Sequence, residues 1–310
     1  MKRLKKCIVR GLILFFAMDL ASLFSQQLSQ TNQVNQIKRK WLDLAYGNLG
    51  EREKLDIYLP DEGEGPFPVI IYIHGGAWMG GSKNPGAALE EINRGYAIVA
   101  VGYTLSQEAI FPRQIYEIKA AIRWVRAHAK QYHIDPNKIA LWGDSAGGHL
   151  SSLGGTTGDV EELEDLSMGN PDQSSRVQAV VDWYGPTDFL KMDVQLEASG
   201  VANPMQHSVE DSPESLLLGG MITEVPERVK AVNPETYISP DDPPFFIQHG
   251  KVDNLVPYQQ SQNFAAQLVR IIGKEKVTFE LLEGAGHGGP AFSTPDNIKK
   301  VFGFLDKVLK

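Results

Sequence analysis

Cysteine is almost missing from this chain of 310 residues: Cys7 stands alone. That excludes an intramolecular disulfide and any cysteine-based metal site. Positive charge is also short. Thirty Lys and Arg face 38 Asp and Glu, a formal net charge of −8, which disfavours a nucleic-acid partner and leaves small ligands open. The strongest N-terminal apolar run, Leu12 to Met18, is too short to span a bilayer, and no internal repeat is visible. Histidine is sparse, with seven in the chain, so each one can be weighed. What is present is apolar material: 42% hydrophobic and 9% aromatic residues can bury a large core, and one α/β domain accounts for this length.

The first residues read as a targeting segment. Lys2, Arg3, Lys5, Lys6 and Arg10 form a basic region, Leu12 to Met18 an apolar one, and small residues follow to Ser25. This is the layout of a secretory signal peptide. Residues 1–25 are therefore expected to be removed, the mature protein to be periplasmic or secreted, and no stable membrane insertion to remain. Residues 26–40 are polar and aperiodic, as expected of a flexible leader to a domain spanning 41–310.

Beyond that leader, strand and helix patterns alternate. Trp41 to Tyr46 and Lys54 to Leu59 alternate apolar with polar, as an antiparallel pair at a sheet edge would. Phe67 to His74, Tyr96 to Val101, Lys138 to Trp142, Val177 to Tyr184, Pro244 to His249 and Val277 to Leu282 are apolar runs suited to buried strands. Helices are expected at about Gly86 to Arg94, Arg113 to Tyr132, Tyr258 to Ile272 and Asp296 to Leu309, and after Ser145. Residues 188–236 carry weak periodicity and many Gly and Pro, as an irregular inserted cap would. The alternation predicts one mostly parallel sheet covered on both faces.

In such sheets, reactive groups gather at the carboxyl ends of strands. Trp142-Gly143-Asp144-Ser145-Ala146-Gly147-Gly148 fits Gly-x-Ser-x-Gly between a strand and a helix. There the serine takes a strained turn that only small neighbours tolerate. A serine hydroxyl needs an adjacent base to act as a nucleophile. His287, between glycines after the last strand, is the candidate; His128 and His133 lie on or near a surface helix, His149 inside a helix, and His207 in the insertion. His74 and His249 end buried strands. The base needs a carboxylate to orient it. Asp253, directly after a strand, is preferred over Asp182 and Asp188, and Asp144 is read as structural. The N–H groups of Gly76, Ala77 and Ala146 are the candidate donors to an oxyanion. Trp78, Trp183, Tyr184 and Met205 are expected around the pocket.

His-Gly-Gly-Ala-Trp at 74–78, Gly-Asp-Ser-Ala-Gly-Gly-His-Leu at 143–150, His-Gly-Lys-Val-Asp-Asn-Leu-Val-Pro at 249–257 and Glu-Gly-Ala-Gly-His-Gly at 283–288 occur in that order. Together they resemble the α/β-hydrolase fold, and within it the hormone-sensitive-lipase-like esterases and the bacterial carbohydrate acetyl and feruloyl esterases. The resemblance runs from about Leu55 to Leu309. It implies a serine esterase without metal or cofactor: nucleophile Ser145, acid Asp253, base His287, oxyanion donors Gly76, Ala77 and Ala146. The expected substrate is a small ester or an acylated oligosaccharide. The loop reads His-Gly-Gly-Ala-Trp rather than His-Gly-Gly-Gly, a form that also resembles kynurenine formamidases. An amidase or peptidase on the same residues, and a binding protein on the same fold, stay open.

Overall fold

The computed structural model describes residues 33–158 and 160–310. The chain divides into two units, Met1–Lys38 and Arg39–Lys310. Of the first, a helical turn at residues 33–36 is described, where an aperiodic leader was expected. The expected signal segment lies outside the described residues.

The second unit carries eight strands: β1 (Lys40–Ala45), β2 (Lys54–Tyr58), β3 (Phe67–Ile73), β4 (Ala97–Val101), β5 (Ile134–Asp144), β6 (Ala179–Trp183), β7 (Phe245–Gly250) and β8 (Val277–Leu282). They form one sheet in the order β1-β2-β4-β3-β5-β6-β7-β8. The pairings β1–β2 and β2–β4 are antiparallel and the rest parallel. The expected edge hairpin is therefore there, with β1 starting inside the expected leader. Residues of β3 and β4 are buried throughout, as unbroken apolar runs covered on both faces must be.

Neighbouring residues on a strand point to opposite faces, and β5 shows what each face meets. Leu141 joins the core that holds Leu150 and Leu153 of the helix α2 (Ala146–Thr156). Trp142 turns the other way and meets Phe302 of the C-terminal helix at 5.9 Å. The sheet is thus sandwiched between helices. The chain moves from β3 outward to β4, then crosses back over β3 to β5. That reversal opens a crevice at the carboxyl ends of β3 and β5, where such sheets place ligands.

The remaining helices are α1 (Arg113–Ala127), α3 (Met192–Ser199), α4 (Pro213–Leu218), α5 (Pro226–Val232), α6 (Gln259–Ile272) and α7 (Pro295–Leu309). Gly86–Arg94 is 3-10 helix. Helix α1 stops five residues before the expected Tyr132: at His128 the ring Nδ1 caps the Trp124 carbonyl at 2.8 Å, closing the end. The insertion at 188–236 is only partly irregular. It contains α3 to α5, and four of the breakers read in its sequence are their boundaries. Pro213 and Pro226 stand in the first helical turn, while Gly200 and Gly219 close α3 and α4 at φ 68° and 67°. Proline at the start and left-handed glycine at the end are the common helix limits. Helices this short show too little of a 3.6-residue period to be read.

The crevice depends on one close approach. A Cβ on Gly147 would sit 2.0 Å from the carbonyl oxygen of Ile73, at the end of β3. Backbone cannot yield as a flexible side chain can. Gly147→Ala is expected to destabilise the fold by about 2–3 kcal/mol or more, read as a lower urea midpoint; an unchanged midpoint would show that the two segments are not in contact.

Candidate active site

Ser145 links β5 to α2 at φ 53°, ψ −120°, a region that costs a non-glycine residue on the order of 1–3 kcal/mol. Its surroundings enforce that angle. The Ser145 N–H donates to the Trp183 carbonyl at 2.8 Å, and the Ser145 carbonyl accepts from His149 N–H at 2.9 Å. A Cβ on Gly143 would lie 2.2 Å from the Gly147 carbonyl oxygen, so only glycine allows so sharp a turn.

Three side chains from distant parts of the chain meet here. His287 Nε2 lies 2.8 Å from Ser145 Oγ, and Nδ1 donates to Asp253 Oδ2 at 2.7 Å. The first contact joins residues 142 apart in sequence. Asp253 is almost wholly buried, and His287 is 17% exposed at its side chain. Asp253 is oriented by its own loop: Oδ1 accepts the N–H groups of Leu255 and Val256 at 2.8 and 3.0 Å. His249 Nε2 adds a contact to Oδ2 at 3.3 Å. The loop bearing Asp253 is also joined to the loop bearing His287 through Val252 N–H and the Ala285 carbonyl, 3.0 Å apart.

Burial works against both charges, and their mutual attraction outweighs it. Burial alone would raise the Asp253 carboxyl, but His287 and His249 hold it well below the usual carboxylate range. Burial alone would lower His287, but Asp253 and then Asp144 raise it above 6.5. Asp144, next to the serine, is engaged by another side chain. It accepts the Tyr72 hydroxyl at 2.9 Å, and burial raises it.

The loop after β3 runs beside the serine. A Cβ on Gly75 would come within 3.3 Å of Ser145 Cβ. The chain then reverses, with the Gly76 carbonyl accepting the N–H groups of Met79 and Gly80, both at 2.9 Å. Gly76 and Ala77 take φ 102° and 55°. Ala146 opens α2, where backbone N–H groups have no partner within the helix and the dipole is positive. Gly76, Ala77 and Ala146 thus all sit in segments that flank Ser145.

The competing residues fall elsewhere. Asp182 is buried beneath the turn, accepting Ser152 Oγ at 2.6 Å and Gly185 N–H at 2.9 Å. Asp188 pairs with Lys191. His74 stacks on Tyr103 with centroids 4.3 Å apart, and His149 bonds the Val232 carbonyl at 2.9 Å; burial lowers each to about 4. His128 stacks on Trp124 at 4.1 Å. Trp78 and Trp183, expected around the pocket, belong to the core: Trp78 packs on His149 and Phe189, and Trp183 on Trp142 and Phe292. Met205 lines a groove of about 340 Å³ with Asp193 and Leu196, whose lining does not include Ser145. Tyr184 does reach the site. Its ring meets His287 edge-on at 4.8 Å, from a backbone at φ 47°. Among the described residues, no group of three or more His, Cys, Asp or Glu is arranged to hold a metal ion.

A Gly-x-Ser-x-Gly turn on a mostly parallel sheet, with a histidine and an aspartate delivered from the ends of β8 and β7, defines an α/β-hydrolase fold. The chain belongs to the BD-FAE family, whose pattern matches residues 55–268. Among curated proteins it is similar to the probable carboxylic ester hydrolase LipM of Mycobacterium tuberculosis, 36% identical over 257 residues, or 79% of this chain and 55% of that protein. The chain spans about half the length of the curated relatives it matches. Among solved structures, one described as a truncated form of carbohydrate esterase from gut microbiota matches at TM-score 0.78 and 33% identity. That match covers 86% of this chain and 95% of the other. A bifunctional GH43-CE of Bacteroides eggerthii matches at TM-score 0.79 and 33% identity, covering 88% of this chain and 35% of that one.

The geometry predicts how His287 titrates. Its ring, followed by NMR, should have a midpoint above 6.5, and Asp253→Asn should lower that midpoint because the raising charge is gone. A midpoint indifferent to the substitution would remove Asp253 as the partner.

Proposed function

We propose that this protein hydrolyses carboxylic esters, and that its substrates are short-chain or carbohydrate-linked acyl esters, acetyl or feruloyl. The observation that carries the reading is the unbroken run from Asp253 through His287 to Ser145, with contacts of 2.7 and 2.8 Å. The names of its relatives support the ester class, and the carbohydrate esterase among its structural neighbours supports the carbohydrate-linked acyl group. The N-terminal layout read from the sequence supports a site of action outside the cytoplasm.

In this reading Ser145 Oγ attacks the ester carbonyl carbon while its proton passes to His287 Nε2. Asp253 remains ionised and stabilises the imidazolium through Nδ1–H. The carbonyl oxygen becomes an oxyanion, received by the N–H groups of Ala146, Ala77 and Gly76. Preorganised donors of this kind are each worth about 3 kcal/mol of barrier. The oxyanion collapses, the alcohol leaves with the proton from His287, and an acyl-serine remains. Water, deprotonated by His287, then attacks that ester, and the carboxylic acid is released as Ser145 regains its proton.

The test is kinetic. The purified protein should turn over p-nitrophenyl acetate and either acetylated xylan or methyl ferulate, and Ser145→Ala should lower kcat at least about a thousandfold with the fold intact. Because His287 acts as its neutral form, kcat/KM should rise with pH, at a midpoint displaced to the alkaline side of 6.5. Turnover surviving in Ser145→Ala would refute the nucleophile, and turnover of a matched amide such as N-formylkynurenine alone would replace the ester.

A further inference from the structure

His207 stands between α3 and α4 and is 1% exposed, and both its ring nitrogens face oxygen acceptors. Nδ1 lies 2.9 Å from Glu214 Oε2, and Nε2 lies 2.9 Å from the carbonyl oxygen of Leu255. A carbonyl oxygen only accepts, so Nε2 must carry a proton. The contact to Glu214 needs a second proton, between Nδ1 and the carboxylate. The pair therefore holds one proton more than a neutral imidazole beside an ionised carboxylate. His249, a buried histidine at the end of β7, makes no such demand: the Ser261 hydroxyl, 2.7 Å from its Nδ1, can donate, and Nε2–H faces the Val256 carbonyl at 2.9 Å and Asp253 Oδ2 at 3.3 Å.

The proton on Nε2 holds the loop of the acid. The Leu255 peptide is gripped on both sides: its N–H donates to Asp253 Oδ1 at 2.8 Å, and its carbonyl accepts from His207. The same segment of the insertion adds Met205 N–H to the Asn254 carbonyl at 2.9 Å. The other charged groups around His207 are Asp193 and His287. The two carboxylate oxygens of Asp193, on α3, accept His207 N–H at 2.7 Å and Ser208 N–H at 2.8 Å. His287, beyond the acid loop, is pushed down by the charge on His207. Burial favours neutral His207, but Glu214, the Leu255 carbonyl and Asp193 together raise it above 6.5, so the extra proton belongs to the imidazole.

We propose that the His207–Glu214 pair is a proton-dependent latch on the loop that bears Asp253. With both protons in place, it holds the Leu255 peptide and, through it, the Asp253 carboxylate in line with His287. When the extra proton leaves at alkaline pH, His207 keeps one donor for two acceptors; that donor turns to the ionised Glu214 carboxylate, the stronger acceptor, Leu255 is released, and turnover falls. His207 is a positioning residue and touches no substrate. The inference rests on the proposed roles of Ser145, His287 and Asp253.

The test is the pH dependence of kcat and KM on p-nitrophenyl acetate for the full chain, His207→Gln and Glu214→Gln. The native protein should lose kcat on the alkaline side with little change in KM. Glu214→Gln removes the charge that retains the proton and should shift that loss at least about one pH unit lower. In His207→Gln the amide can still donate to Leu255 but does not titrate. It should keep kcat near pH 7 within about threefold and lack the alkaline loss. An alkaline limb unchanged in both variants would overturn the latch. Should a variant not fold, 15N NMR of the native ring decides: both nitrogens protonated at pH 6 support it, and a neutral ring there overturns it. Ser145→Ala retaining turnover would sink the catalytic reading instead, leaving the ring titration to judge the latch separately.

Discussion

The contact on which the site depends is between two pieces of backbone: Gly147 at the start of α2 against Ile73 at the end of β3, at a distance no Cβ could share. It lets the chain leave β5 through a left-handed Ser145 and enter a helix at once. The same approach brings the loop after β3 beside the serine. The strain at Ser145 persists because both its backbone groups are bonded, N–H to β6 and carbonyl into α2. A hydroxyl held in that way does not have to be ordered again at each encounter with a ligand, which is how preorganisation helps a chemical step.

Around that contact, charge is distributed so that burial is opposed locally. Asp253 and His287 are costly to bury alone, and each is moved toward its charged form by the other. Such a pair is sensitive to position, because a small displacement of either partner removes the compensation and leaves the desolvation cost. That sensitivity gives the insertion its importance. Its helices are short, yet Phe189, Met192, Leu196, Leu217, Leu218, Val229 and Val232 are buried, so it is part of the core as much as a cover. From there it reaches the acid loop through Met205 and His207. The family match and the esterase relatives agree with a site of this kind.

Much of the architecture was legible in residue order alone. Unbroken apolar runs identified the buried strands, and alternation identified the edge hairpin, because burial on one or two faces leaves a period a reader can see. Ser145, Asp253 and His287 were legible because each stands in a short glycine-bearing segment at a strand end. Two kinds of feature escaped. Helices α3 to α5 are too short to show a period, so their capping Pro and Gly read as an irregular insertion. Trp78 and Trp183 were placed in the pocket, although an aromatic beside a catalytic motif carries no mark of which face it takes. Tyr184 was named with them, but its edge-on contact with His287 depends on a positive φ that no local pattern announces.

By itself, then, the sequence determined the strands and the longer helices, the order of the reactive residues and the positions where only glycine fits, all of which are local or ordinal properties. The tertiary structure alone decided which segments touch. Sheet order brings Ser145 to a histidine 142 residues away, engages Asp182 with Ser152 and Gly185 rather than with that histidine, and sets His207 against a carbonyl 48 residues further on. Hydrogen bonds and buried charges act over a few ångströms, and chain separations of that size become ångströms only when the sheet has closed.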